Sequence, residues 1–217
     1  MPPDQGLDSA RLTAASPWDL PVEVAAETAS TNGDLIGRGE AGAPEGTILF
    51  AERQTAGRGQ FGRAWNSAAG LGLWFSLLLR PAINDATVPL LSAFPAVALA
   101  RTLGTLGIGG GIKAPNDLLV GGRKVADILV ETRTGKDPFA VVGIGLNVNH
   151  GPGDFPEELE GRAASLAMVA GSPCDRNTVA EVLLGELGAA IRLMRESPED
   201  LLAAWKRHLL PKQDCET

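Results

Sequence analysis

Three glycines and two arginines fall in one short stretch, Gln54-Thr55-Ala56-Gly57-Arg58-Gly59-Gln60-Phe61-Gly62-Arg63-Ala64-Trp65. Glycine lets backbone amides come close to an anion, and arginine grips carboxylate or phosphate with parallel hydrogen bonds. Such a loop suits a reaction that presses two anions together, such as joining a carboxylate to a nucleotide phosphate, because fixed positive charge offsets their repulsion. Gly57, Gly59 and Gly62 also match Gly-x-Gly-x-x-Gly, the dinucleotide fingerprint, but the context fails it. A turn, Asn66-Ser67-Ala68-Ala69-Gly70, follows in place of a crossover helix, no acid occurs before Asp85, and there is no Gly-Lys-Ser/Thr. A solvated hairpin tip would carry the same residues; the anion reading is preferred because other segments fit the same chemistry.

The elements that must position this loop can be read on either side of it. Val22–Ala26 reads as a strand, and Asn32–Arg38 as a short helix entered through Ser30-Thr31-Asn32, whose side-chain oxygens suit free helix-start amides. Strands are expected over residues 46–53, 73–79 and 139–148, with 54–72 as a long tight loop. Residues 87–106 carry a helical pattern that Pro95 should kink. Ile112 and Lys113 read as extended before Pro115. Leu118–Val120 and Val125–Glu131 form a strand pair around Gly121-Gly122. A helix capped by Asn177 spans 177–196, and a last one runs from Pro198 to about His208. Residues 1–17 lack any sustained period and are expected to be a flexible leader, 18–210 the folded domain and 211–217 a tail. The expected class is α+β, a mixed β-sheet backed by helices.

Composition narrows the function. The formal charge is −7 with no basic cluster, so nonspecific attraction to nucleic acid is not expected. No run of 18 apolar residues suggests a membrane span, and Met1-Pro2-Pro3-Asp4-Gln5 is no secretory signal. Two cysteines, Cys174 and Cys215, and two histidines, His150 and His208, argue against a disulfide scaffold or a zinc site and suit a reducing cytoplasm. The acidic run Glu157-Glu158 with Glu160 reads as a solvated loop face.

Five segments in order carry a resemblance. They are Ser30-Thr31-Asn32, the Gly57–Trp65 loop, Lys113-Ala114-Pro115-Asn116-Asp117, Arg123-Lys124-Val125-Ala126 with Ile128-Leu129-Val130-Glu131, and Gly143-Ile144-Gly145-Leu146-Asn147-Val148-Asn149. Over about residues 22–208 the chain resembles biotin protein ligases, also called biotin–acetyl-CoA-carboxylase ligases. The resemblance implies a catalytic domain related to class II aminoacyl-tRNA synthetases and lipoate ligases. It implies that biotin and ATP form biotinyl-5′-AMP, and that biotin then passes to a lysine of a biotin carboxyl carrier protein domain. By matching position, Ser30, Thr31, Asn32, Gln54, Gly57, Arg58, Trp65 and Lys124 would bind biotin. Ser30, Thr31 and Gln54 would serve its ureido group, and Trp65 would form an apolar wall. Arg63, Asn116 and Asn147 would bind ATP. Lys124, Arg58 and Asp117 would be catalytic: Lys124 at the biotin carboxylate and α-phosphate, Asp117 as base or orienter for the incoming lysine. Mg²⁺ would accompany ATP, with no dedicated protein ligands expected.

The chain also departs from that pattern. No DNA-binding domain is expected ahead of the ligase region, so no repressor role, and the family's C-terminal SH3-like domain is not expected after it. Gln60 stands where many relatives have arginine, which predicts a looser hold on biotinyl-AMP. Ala114 stands where relatives carry tryptophan. Asp127 replaces a usual glycine, and strand alternation leaves open whether it points into the pocket, against Lys124, or away. A ligase for lipoate or another acid, or a weakly catalytic binding protein, would account for the same motifs. Amphipathic helices and strand edges are compatible with a homodimer without specifying one.

Overall fold

The computed structural model describes residues 6–211. Seven strands make one mixed sheet: β1 (Glu23–Thr28), β2 (Ile48–Gln54), β3 (Gly72–Leu79), β4 (Gly111–Lys113), β5 (Asp117–Val120), β6 (Arg123–Arg133) and β7 (Phe139–Asn147). Their order is β1-β2-β3-β7-β6-β5-β4. β1 and β2 run parallel, connected through helix α2 (Thr31–Glu40), and the other neighbours pair antiparallel. The expected α+β class and mixed sheet are therefore present.

Strand alternation separates the core from the site. On β3, Leu73, Phe75, Leu77 and Leu79 enter the main core, and on β7 Ala140, Val142, Ile144 and Leu146 do the same. Their alternates on the opposite face are Trp74, Ser76 and Leu78 on β3, and Gly143 and Gly145 on β7. Part of that face is covered by α2, whose Leu35 and Ile36 pack with Leu49, Leu78, Phe139 and Val141 in a second, smaller cluster.

Behind the main core lie α3 (Thr87–Thr105), α5 (Arg176–Glu196) and α6 (Pro198–Arg207), with α3 against both of the others. By length and composition alone α3 could cross a membrane, but Leu91, Phe94, Val97, Leu99 and Leu103 are buried in the core. Pro95 lies inside α3 without ending it. The lost amide bond is outweighed by the apolar area buried around it.

Three expectations need correction. Residues 9–15 are not a loose leader but helix α1 (Ser9–Ala15), capped by Asp8, whose side chain accepts from the amides of Ala10 and Arg11. Its Leu12 is fully buried in the main core. So short a helix is marginal alone and shows little periodicity, so docking creates it. Second, Asn177 does not cap α5; Asp175 does, accepting from the amides of Asn177 and Thr178. Asn177 instead ties down the N-terminal segment, accepting from the Asp8 amide at 2.8 Å and donating to the Gly6 carbonyl at 2.9 Å. Third, a short helix α4 (Leu166–Ala170) appears where no element was expected. Of the expected tail, 212–217 lie outside the described residues.

One irregularity matters for the site. Asp117 pairs with Asp127 and Leu118 with Ala126, but Leu119 pairs with Lys124, so β6 has one extra residue there. Val125 and Ala126 consequently both enter the main core. A bulge of this kind resets the alternation. Lys124 and Asp127, three apart, therefore share a face that a regular strand would deny them.

Candidate active site

Two adjoining hollows occupy the sheet face turned away from the main core. The smaller, about 20 Å³, is bounded by Ser30, Thr31 and Asn32 at the start of α2, Gln54, Arg58, Trp65 and the β6–β7 surface. The larger, about 360 Å³, lies between the glycine-rich loop and the β4–β5–β6 end of the sheet. That volume is within the usual range for a small-molecule site. Trp65 and Asp127 line both hollows.

The smaller hollow is walled by one polar network. Ser30 caps α2 by accepting from the Gly33 amide, so the helix-cap role expected of it is present. Gln54 Oε1 accepts from the Thr31 amide at 2.9 Å and from Thr31 Oγ1 at 3.2 Å, and Gln54 Nε2 donates to Ser67 Oγ at 2.8 Å. Ser76 Oγ lies 2.7 Å from Thr31 Oγ1 and 2.5 Å from Asn32 Oδ1. Asn32 Nδ2 donates to Glu131 Oε2 at 2.9 Å, and Arg58 Nη2 reaches the same oxygen at 3.0 Å. Arg58 thus lies across the hollow, held by β6. Paired buried groups of this kind keep their geometry, which a ligand with donors and acceptors would exploit.

Two glycines on β7 make this packing feasible. A Cβ at Gly143 would collide with the Asn32 amide, and one at Gly145 would fall 2.5 Å from Trp65 Nε1. The indole therefore rests directly on the β7 backbone. Trp65 Nε1 is buried without a hydrogen-bond partner in this structure, a donor facing the hollow's floor.

The glycine-rich loop is folded back on itself. Trp65 N donates to Gly57 O at 2.9 Å and Gly59 N to Arg63 O at 2.8 Å. The expectation that Gly57 and Gly59 offer amides to an anion needs correction for Gly59, whose amide is spent inside the loop. Gly57 lines neither hollow; a Cβ there would come 2.6 Å from Trp65 O, so its lack of a side chain serves loop closure.

Cations gather around the larger hollow: Arg63, Lys113, Lys124 and Arg162, with Asn116 and Asn147 beside them. Both asparagines are buried; Asn116 Nδ2 donates to Ile128 O at 2.9 Å and Asn147 Nδ2 to Ala164 O at 3.2 Å. At the junction Lys124 Nζ lies 2.6 Å from Asp117 Oδ1, 2.5 Å from Asp127 Oδ1 and 5.6 Å from the Trp65 ring centre. Asp127 points inward and its side chain is only 8% exposed, which settles the orientation that alternation left open. Burial pushes its carboxyl up to about 6; Lys124 opposes that shift and Asp117 adds to it.

Arg58 and Lys124 thus line neighbouring hollows that meet at Trp65 and Asp127, rather than one common cavity. Sequence reasoning gave no role to Ser76, Ser67, Glu131 or Arg162. Ser76 did leave a signal, a lone hydroxyl within Leu73-Trp74-Phe75-Ser76-Leu77-Leu78-Leu79. The loop holding Glu157, Glu158 and Glu160 is exposed at those residues as expected, yet its Phe155, Leu159 and Arg162 line the larger hollow.

The family model of the biotin/lipoate A/B protein ligases matches residues 26–149. The biotin–[acetyl-CoA-carboxylase] ligase of Mycobacterium tuberculosis is 35% identical over 225 residues, which cover 95% of this chain and 77% of that protein. The bifunctional ligase/repressor BirA of Bacillus subtilis is 44% identical over 145 residues, 65% of this chain but 45% of that protein, so the match spans less than half of that relative. A solved structure of the biotin protein ligase from Aquifex aeolicus, in complex with biotin and ATP, is similar with a TM-score of 0.76. It is 31% identical, and the match covers 87% of this chain and 78% of that one.

Proposed function

Because this chain belongs to the biotin/lipoate A/B protein ligase family, we propose that it is an ATP-dependent biotin–protein ligase acting in the cytoplasm. The observation that carries the reading is a polar-walled hollow that meets a cation-lined cavity of about 360 Å³ at Trp65 and Asp127, where Lys124, which lines that cavity, reaches Asp127. Biotin would enter at the smaller hollow, which must widen to admit its ring, with its ureido group served by Ser30, Thr31, Asn32 and Gln54 and its ring against Trp65. ATP would occupy the larger one, with Arg63, Asn116 and Asn147 along its length.

In the first step a biotin carboxylate oxygen attacks the α-phosphorus, the bond to the β-phosphate oxygen breaks, and pyrophosphate leaves. Lys124 and Arg58 would hold the two anions together and stabilise the charge that develops on the phosphoryl oxygens. In the second step the neutral amine of a lysine on a biotin carboxyl carrier protein domain attacks the acyl carbon and AMP leaves. Asp117 would accept the proton that this amine must lose, once phosphate has drawn Lys124 away from it. Mg²⁺ would arrive on the ATP phosphates. Among the described residues no group of three or more His, Cys, Asp or Glu is placed to hold a metal ion, and both junction carboxylates face Lys124.

A second reading, activation of a different acid such as lipoate, draws on the carboxylate of Asp127 lining the smaller hollow. Acid-dependent exchange of labelled pyrophosphate into ATP separates the two. Exchange with biotin, followed by label transfer to a carrier domain and loss of both in Lys124→Ala, supports the first. Exchange with lipoate alone supports the second, and exchange with no acid overturns both.

A further inference from the structure

Lys124 already carries two carboxylates, and this has a consequence for substrate binding. If Asp117 and Asp127 are both ionised, the three side chains sum to one negative charge where the proposed reaction needs positive charge. A substrate acid arriving there would be a third carboxylate on one ammonium. Three such groups at a largely dehydrated point repel one another strongly.

We infer that Asp127 competes with the substrate acid for the ammonium of Lys124, and that the acid takes this ammonium only as Asp127 takes up a proton. The inference rests on the ligase reading above and adds to it a residue that sets acid affinity. Asp127 is the better placed of the two carboxylates to yield. Its side chain is 8% exposed against 26% for Asp117, so charge costs it more. Its carboxyl, raised to about 6, needs little persuasion to become neutral. Once protonated, it could stay in place as a hydrogen-bond donor to the incoming carboxylate.

The charged surroundings of Asp127 come from β4, β5, β6, the glycine-rich loop and the loop before α4; β4 brings Lys113 and the last brings Arg162, both lining the larger hollow that Asp127 also lines. β6 supplies Lys124 and, farther along the same face, Glu131, which is held by Arg58. β5 supplies Asp117, with the neutral amide of Asn116 Nδ2 3.3 Å from Asp127 Oδ1. The glycine-rich loop closes over the carboxylate at Gly59 and brings Arg58 and Arg63 to the two hollows. β7 contributes Gly145 opposite Asp127 and no charge. Arg58 is paired with Glu131, Arg63, Lys113 and Arg162 line the larger hollow, and Lys124 is the cation in direct contact with Asp127.

The test is biotin affinity of the full chain between pH 6 and 8, measured by calorimetry in buffers of differing protonation enthalpy. The expected result is a Kd that weakens by about tenfold per pH unit above 6.5, with close to one proton taken up per biotin at pH 8. Asp127→Asn should flatten that slope, abolish the proton uptake and bind biotin at least tenfold more tightly than the native chain at pH 8. Asp127→Gly should flatten it as well. A native Kd independent of pH, without proton uptake, overturns the inference and leaves the ligase reading intact. The same slope in Asp127→Asn overturns it too. Absence of biotin binding in all three proteins at every pH overturns the ligase reading and the inference with it. The native protein alone decides the proton count should a variant fold poorly.

Discussion

Replacing Asp127 by asparagine should stabilise the fold at neutral pH and leave it almost unchanged in acid. Asparagine has nearly the same shape, and its carbonyl can still accept from Lys124 and Asn116. What disappears is a buried charge. The carboxyl of the folded protein titrates at about 6 against an ordinary 3.8, chiefly because it is buried. A raised value means that the folded state binds the proton more tightly. The stability it contributes is therefore complete below about 3.8 and is lost as pH climbs through 6. Above pH 7 the ionised group costs the native fold about 3 kcal/mol, at about 1.4 kcal/mol per tenfold. With a urea slope of about 3 kcal/mol per molar, the variant's midpoint should exceed the native one by about 1 M at pH 8 and by about 0.2 M at pH 4. Urea titrations of both proteins across that range check this. A gap independent of pH, or a variant less stable at pH 8, would refute the reasoning, because the pairing with Lys124 would then outweigh the cost of burial.

Other perturbations probe the parts of the site separately. Ser76→Ala removes a buried hydroxyl within hydrogen-bond distance of Thr31 and Asn32; it should cost about 1–3 kcal/mol in denaturant unfolding and weaken biotin binding. Gly145→Ala should push the Trp65 indole off β7, weakening biotin binding by about tenfold, about 1.4 kcal/mol, with a change in tryptophan fluorescence. Leu12→Ala should cost about 2–5 kcal/mol in thermal or denaturant unfolding if α1 is part of the core, and nothing if residues 6–17 were a loose leader. Gln60→Arg should slow release of biotinyl-AMP by restoring a charge beside Arg63 at the larger hollow; equal dissociation rates would discard this.

The strands and long helices were legible because each buries one face continuously. Leu73, Phe75, Leu77 and Leu79 mark β3, and Leu183, Leu184, Leu187 and Ile191 mark α5. The ends were less so. Asp175 and Asn177 are both plausible caps, and the one left over was free to hold the Gly6–Asp8 segment 169 positions away in sequence. Helix α1 was hidden for the same reason, since a single buried leucine carries no period. Within the site, the ordered motifs brought Ser30, Thr31, Gln54, Arg58, Trp65 and Lys124 into view. Their mutual partners stayed hidden, because Glu131 and Ser76 act only through side chains that fold beside them.

What the amino-acid order settled by itself is the set of chemical groups and the elements that bear them: a glycine-arginine loop, a lysine on a strand, asparagines at strand ends. Such properties depend on residue type and short-range spacing. What the tertiary structure decided is which of those groups meet. The bulge at Val125 places Lys124 and Asp127 on one face, although three residues of a regular strand would separate them. It is the register between β5 and β6 that makes a free lysine into one shared by two carboxylates. Register arises from pairing between strands and from how the core fills behind them, so a local stretch of sequence does not hold it.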